Sequence, residues 1–123
     1  MKRQKYIIVF VTVPHRKTAL KIKDLLLKKD KSGTESFASS FAFKKSSASC
    51  VQILKNLESH YRWNNKLEVS KELLLIIKSV KSNFSVIEKL VKSAHPYEVP
   101  EIISVEISNG SKDYLSWIKQ YAG

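Results

Sequence analysis

The sequence predicts an α+β sandwich, on three observations. Strand-like and helix-like patterns alternate along the 123 residues instead of separating into blocks. Two long alternating runs, Cys50–Trp63 and Lys66–Lys78, meet at Asn64-Asn65, a pair that tolerates left-handed backbone and suits a tight hairpin turn. Amphipathic helical stripes follow the first strand and that hairpin. With 43% hydrophobic residues, the chain supports one domain, residues 1–123, around a real core.

The first strand is the β-branched and aromatic run Ile7–Val13. Together with the basic lead before it, this run imitates a secretory leader. Pro14, His15, Arg16 and Lys17 follow it, however, where a small-residue cleavage site belongs, and the run is too short to span a bilayer. The expectation is a cytoplasmic soluble protein with no membrane span. Ala19, Ile22, Leu25 and Leu26 then recur at helical spacing, predicting a helix from about His15 to Lys29. The serine-rich stretch at about 30–47 breaks all periodicity and reads as a mobile insertion.

Parity sharpens the hairpin. A two-residue turn at Asn64-Asn65 sets Trp63 opposite Lys66, so odd residues of one strand face even residues of the other. Yet the apolar residues are odd in both strands: Val51, Ile53 and Leu57 in one, Leu67, Val69, Leu73, Leu75 and Ile77 in the other. Either the loop has an odd length or a β-bulge flips the register. A bulge near Lys55-Asn56 is favoured, because the alternation lapses there. The hairpin base then buries Val51 and Ile53 beside Leu75 and Ile77, and its tip carries Tyr61 and Trp63 outward.

A second helix, capped by Ser82 or Asn83, carries the stripe Phe84, Ile87, Leu90 and Val91. "HPYEVP" stops it, since a residue before proline avoids the α region. Glu101–Ser108 alternates as a last strand, Gly110 turns the chain, and Lys112–Tyr121 forms a final helix. The order β-α-β-β-α-β-α defines a ferredoxin-like βαββαβ sandwich with an extra C-terminal helix and a long central hairpin.

The net charge of +11 is unevenly spread: residues 1–50 carry 12 Lys/Arg against 3 Asp/Glu, residues 51–123 carry 10 against 8. Its spacing reads as a solvated basic face, and no specific nucleic acid is expected as a partner. Cys50 is the single cysteine, which fits a reducing compartment and a small core thiol.

Several ordered motifs resemble the CutA family of divalent-cation tolerance proteins: "FVTVP", "CVQI", "SHYRWNNK", Glu72, "LLLIIK", "HPYEVPE" and "DYLSWI". They cover nearly the whole chain except residues 30–45. The resemblance implies a homotrimer with hairpins reaching to neighbouring subunits. It also implies a role in tolerance of copper and other divalent ions, with no established catalysis. Lys55-Asn56 stands where the family often has Pro-Gly, and Asn65 where it often has Gly. Val11 and Ala94 stand where some members carry Cys and His, so soft-metal ligation through those positions is lost.

The candidate metal ligands are His95, Glu98 and Glu101, for Cu2+ or Zn2+. They amount to half a site, because a firm copper or zinc centre needs three or four converging ligands. Catalytic residues are expected to be none: there is no Ser-His-Asp spacing and no phosphate-cradling glycine loop. Tyr61, Trp63, Lys66, Glu72, Tyr97 and Trp117 are candidates for an intersubunit cleft or interface. The leading expectation is a divalent-metal tolerance trimer acting by ion binding. The alternatives are a signalling trimer binding an anionic metabolite near Trp63, Lys66, His95, Tyr97 and Glu101, and a plain interaction scaffold.

Overall fold

A computed structural model describes residues 3–28 and 45–123. The elements run β1 (Tyr6–Val13), α1 (Arg16–Leu27), β2 (Cys50–Trp63), β3 (Lys66–Val80), a 3-10 turn (Lys81–Asn83), α2 (Phe84–Ala94), β4 (Ile102–Glu106) and α3 (Lys112–Ala122). The four strands form one antiparallel sheet in the order β2-β3-β1-β4. This is the predicted α+β order. The helix after β1 stops at Leu27, two residues short of the predicted end, and β4 is trimmed to five residues. Most of the serine-rich stretch at 30–47 lies outside the described residues. Its last residues, Ser46 and Ser47, are buried.

Alternation on β1 builds the core. Ile7, Val9, Val11 and Val13 face the helices and pack with Leu75 and Ile77 of β3, Ala19, Ile22 and Leu26 of α1, and Ile87 and Val91 of α2. Each fully buried aliphatic side chain contributes about 1.5–3 kcal/mol relative to exposure. Cys50 is half-buried instead of buried, because it opens β2 at the sheet edge.

The predicted bulge is present. Trp63↔Lys66, Tyr61↔Glu68 and Leu57↔Glu72 pair odd with even, whereas Ile53↔Leu75 and Val51↔Ile77 pair odd with odd. The register shifts between Leu54 and Leu57, where Asn56 takes a positive φ of 65°. Lys55 and Asn56 together oppose Leu73. Below the shift Val51 and Ile53 pack against the helix-side core; above it Leu57, Tyr61 and Trp63 share the opposite face with Glu72, Glu68 and Lys66. Asn64 and Asn65 turn the hairpin with φ of 49° and 62°.

That opposite face of the sheet is apolar and only partly covered. Ile8, Phe10, Leu74 and Ile76 are half-buried on it, and Leu54, Ile103 and Val105 are 54%, 53% and 48% exposed. The helix α3 packs against β3 and buries Ile118 and Ala122 outside the main core.

Asn83 was expected as a cap, and it does precede α2, but its side chain makes no capping bond. Its amide turns inward and donates to the carbonyl of Ala122 (2.7 Å), the carbonyl of Ser47 (3.1 Å) and Ser79 Oγ (3.1 Å). Ser79 Oγ in turn donates to the Ser47 carbonyl (2.6 Å), and Ser46 N–H to the Tyr121 carbonyl (2.9 Å). A buried amide is drawn to these acceptors because leaving them unsatisfied costs more than an uncapped, solvated helix end. The knot ties the start of β2, the end of β3 and the C-terminal helix together.

Asn56 supplies a test of the bulge. Asn56→Gly is expected to hold or raise stability, while Asn56→Val is expected to cost about 1–2 kcal/mol, because a β-branched residue resists positive φ. Urea unfolding of both variants at one protein concentration measures this. Equal stability of the valine variant and the parent would remove the bulge as placed.

Candidate functional site

The end of α2 is where sequence chemistry becomes geometry. The helix ends at Ala94 because Pro96 follows, and His95 adopts extended backbone as its C-cap. The His95 side chain is buried, and its Nε2 lies 2.7 Å from the Thr12 carbonyl oxygen. A carbonyl only accepts, so Nε2 carries the proton and donates. Nδ1 then accepts from the Tyr97 backbone N–H at 3.1 Å. His95 is thereby held as the neutral Nε2–H tautomer, with both nitrogens engaged inside the chain.

Tyr97 continues the arrangement. Its ring lies 4.7 Å from the His95 ring, and its hydroxyl donates to Glu72 Oε2 at 2.9 Å. Glu72 is only 6% exposed, and among the described residues it has no cationic partner. Partial burial, then the hydrogen bond to Glu72 and its charge, push the Tyr97 phenol up to about 12. Tyr61 adds to that shift from nearby and bonds Ser70 Oγ through its hydroxyl at 2.8 Å. Glu72 pairs with Leu57, the first residue beyond the bulge, so the Tyr97–Glu72 bond braces the hairpin where it leaves the body.

The six cleft candidates therefore fall at three levels of one chain. Glu72 and Tyr97 meet at the hairpin root, and the Tyr61 hydroxyl reaches back towards them from nearer the tip. Trp63 and Lys66 face each other at the tip, six residues farther along β2, about 20 Å away. Trp117 lies on α3, stacked with Tyr114 at 5.5 Å and close to Tyr121 at 5.8 Å. Tyr114 neighbours Cys50 at the far end of β2, and burial pushes its phenol up.

The metal candidates divide as well. Glu98 and Glu101 are exposed, whereas His95 has no lone pair left to offer while its two bonds persist. Among the described residues no three His, Cys, Asp or Glu side chains converge as a metal-holding group. Two carboxylates alone are hard oxygen donors, which suit Mg2+ or Ca2+ better than Cu2+ or Zn2+. One chain by itself thus does not fit a copper or zinc centre at His95, Glu98 and Glu101. His60 lies elsewhere, on the exposed hairpin, with Nε2 at 3.0 Å from Glu58.

Two participants escaped the sequence reading. The Thr12 carbonyl was hidden because a backbone group carries no residue-type signal. Ser70 was legible in principle, since the predicted tip register sets it opposite Ser59, diagonal to Tyr61.

Residues 29–121 match the family model described as CutA1 divalent ion tolerance protein. The chain is 40% identical over 76 residues to the divalent-cation tolerance protein CutA of Thermus thermophilus, covering 62% of this chain and 74% of that protein. It is 34% identical over 113 residues to the chloroplastic protein CutA of Arabidopsis thaliana, covering 92% of this chain and 53% of that protein. It thus spans about half the length of such plant relatives. Among solved structures, the Cut A1 protein of Thermus thermophilus superposes with a TM-score of 0.77 at 31% identity, covering 94% of this chain and 98% of that one. The periplasmic divalent cation tolerance protein CutA of Archaeoglobus fulgidus reaches 0.79 at 26% identity, covering 96% of this chain and 99% of that one.

Removing the Tyr97 hydroxyl tests the brace. Tyr97→Phe leaves a buried Glu72 oxygen without its donor and is expected to cost about 1–3 kcal/mol. The fold favours the neutral phenol, so that contribution is complete below pH 10, the ordinary tyrosine value, and fades as pH rises from 10 to about 12. Unfolding measured from pH 8 to 12 should show a loss above pH 10 that shrinks in Tyr97→Phe. Identical profiles would refute the brace.

Proposed function

The chain belongs to the CutA1 divalent ion tolerance family, and from that premise we propose that it serves divalent-metal tolerance as a homotrimer, by binding ions and without catalysis. The observation that carries the trimer is the apolar sheet face opposite the helices, with Leu54, Ile103 and Val105 about half-exposed on it. A monomer gains nothing from that exposure, and a closed assembly would bury it. The outward tip residues Tyr61 and Trp63, 40% and 43% exposed, add aromatic anchors of the kind interfaces favour.

Within this reading, Glu98 and Glu101 supply oxygen ligands of an ion site, His95 holds the turn that positions them, and a neighbouring subunit supplies the rest. Exposure of both carboxylates beside the His95 turn supports it. The ion chemistry is copper-like if a neighbour adds nitrogen or sulfur donors, since the carboxylates alone are oxygen donors. A cytoplasmic location belongs to the same proposal, supported by a single cysteine that needs no disulfide partner. Among the described residues no helix is long and apolar enough to cross a membrane.

A second reading is a signalling trimer that binds a small ligand between subunits. What favours it is the hydrogen-bonded group of Tyr61, Ser70, Glu72 and Tyr97, which lies on the same sheet face as the apolar patch and would adjoin a neighbour.

Light scattering should return three chain masses, and Ile103→Asp should shift the protein to monomer. A wild-type monomer would sink the trimer. Calorimetric titration of chelator-stripped protein with Cu2+ and Zn2+ should show binding that Glu98→Gln/Glu101→Gln and His95→Ala each weaken at least tenfold. Binding no tighter than buffer competition, or unaltered in both variants, would remove the site as placed. The same titration with ATP, silent on the metal reading, should give heat on the second.

A further inference from the structure

The charge of this chain is concentrated on one surface that the proposed function does not use. The helices α1 and α2 pack side by side on one face of the sheet. From Arg16 through the C-cap Lys28, and along α2, they carry Arg16, Lys17, Lys21, Lys23, Lys28, Lys89 and Lys92 against only Asp24 and Glu88. Both acids are already taken, Asp24 by Lys23 at 2.5 Å and Glu88 by Lys92 at 3.3 Å. Arg16, Lys17, Lys21, Lys28 and Lys89 remain exposed, with no acidic partner among the described residues. The β2–β3 hairpin is more balanced, with Lys55, Arg62, Lys66, Lys71 and Lys78 against Glu58, Glu68 and Glu72.

We propose that the outer surface of the α1–α2 layer is a docking face for the phosphodiester backbone of nucleic acid, read without regard to sequence. Charge complementarity supplies the attraction: each phosphate neutralised releases a condensed counterion. Lys17 and Lys21, four residues apart, line one side of α1 with about 6 Å of helix rise between them, and Lys28 follows at its C-cap. Four of the five cations are lysines, which meet phosphate as point charges, and neither helix carries the Asn or Gln that reads adenine, so the face is built for the backbone more than for base edges.

The same residues argue against a lipid surface as the occupant. A helix that binds at a bilayer interface buries its apolar stripe in the headgroup boundary. Here the apolar stripes of both helices are spent in the core, at Ala19, Ile22, Leu26, Ile87 and Val91. Leu27 and Val86, 36% and 37% exposed, are the large apolar side chains the layer leaves exposed. Phosphate binding needs no insertion, and a rigid cationic face is sufficient for it.

The test is fluorescence anisotropy with the full chain, a labelled 20-base-pair duplex of arbitrary sequence, and a salt series. Five neutralised phosphates give a slope of log K against log salt of roughly −4 to −5 per subunit. Lys17→Gln/Lys21→Gln/Lys89→Gln should reduce affinity at low salt at least tenfold and flatten the slope by about 3. Lys71→Gln/Lys112→Gln/Lys119→Gln, an equal charge loss away from the layer, should keep most of the affinity. Circular dichroism and light scattering must match the parent for both, since all six lysines are exposed. Equal weakening by the two triples would show only net charge and overturn the docking face. Stronger retention on vesicles containing phosphatidylserine than on duplex, lost in the first triple, would assign the face to membranes and overturn it as well.

Discussion

One inserted residue governs this molecule. A hairpin closed by a two-residue turn must set odd residues against even ones, and an unbroken ladder would have put charge into the core or apolar side chains into water. Lys55 and Asn56 together opposing Leu73 resolve the conflict by changing the parity halfway along. Below the change, Val51 and Ile53 join the core beneath the helices; above it, Tyr61 and Trp63 lie on the other face. The insertion needs a residue at positive φ, and asparagine is among the few side chains that accept it at modest cost.

The hairpin's consequences reach the site. Glu72 is the first β3 residue to pair beyond the bulge, and it is there that Tyr97 bonds it from the turn after α2. A long two-stranded arm whose tip residues are exposed is weakly held by its own ladder. Its direction depends on ties at the root, and the His95–Tyr97 turn provides one on the α2 side. At the opposite end of the sheet, the Asn83 amide collects the start of β2, the end of β3 and the end of α3. The arm therefore projects from a body braced at both ends.

The same turn restricts what His95 can do. An imidazole that donates from Nε2 to a buried carbonyl and accepts at Nδ1 from a backbone amide is a structural element first. The ion site proposed for this protein thus rests on the exposed carboxylates Glu98 and Glu101 and on surfaces that another subunit would complete. The two chemistries proposed for the molecule occupy opposite sides of the sheet: the apolar and hydroxyl-rich face towards a neighbour, the cationic helix layer towards solvent. They do not compete for residues.

Much of this was legible from residue order. Periodicities of two and 3.6 locate the four strands and three α-helices of the described residues, and the mismatch of parity locates the bulge. These features are local or obey counting rules, so composition and spacing determine them. The chain by itself also dictated where the cations cluster. Only the tertiary structure decided that Asn83 turns inward instead of capping, that His95 spends both nitrogens, and that Glu72 meets Tyr97 while Trp63, Lys66 and Trp117 stay apart. Those outcomes rest on contacts between residues 25 to 83 positions apart and on backbone carbonyls, which no residue type announces. Side-chain chemistry names the candidates; three-dimensional packing decides which of their hydrogen bonds are already taken.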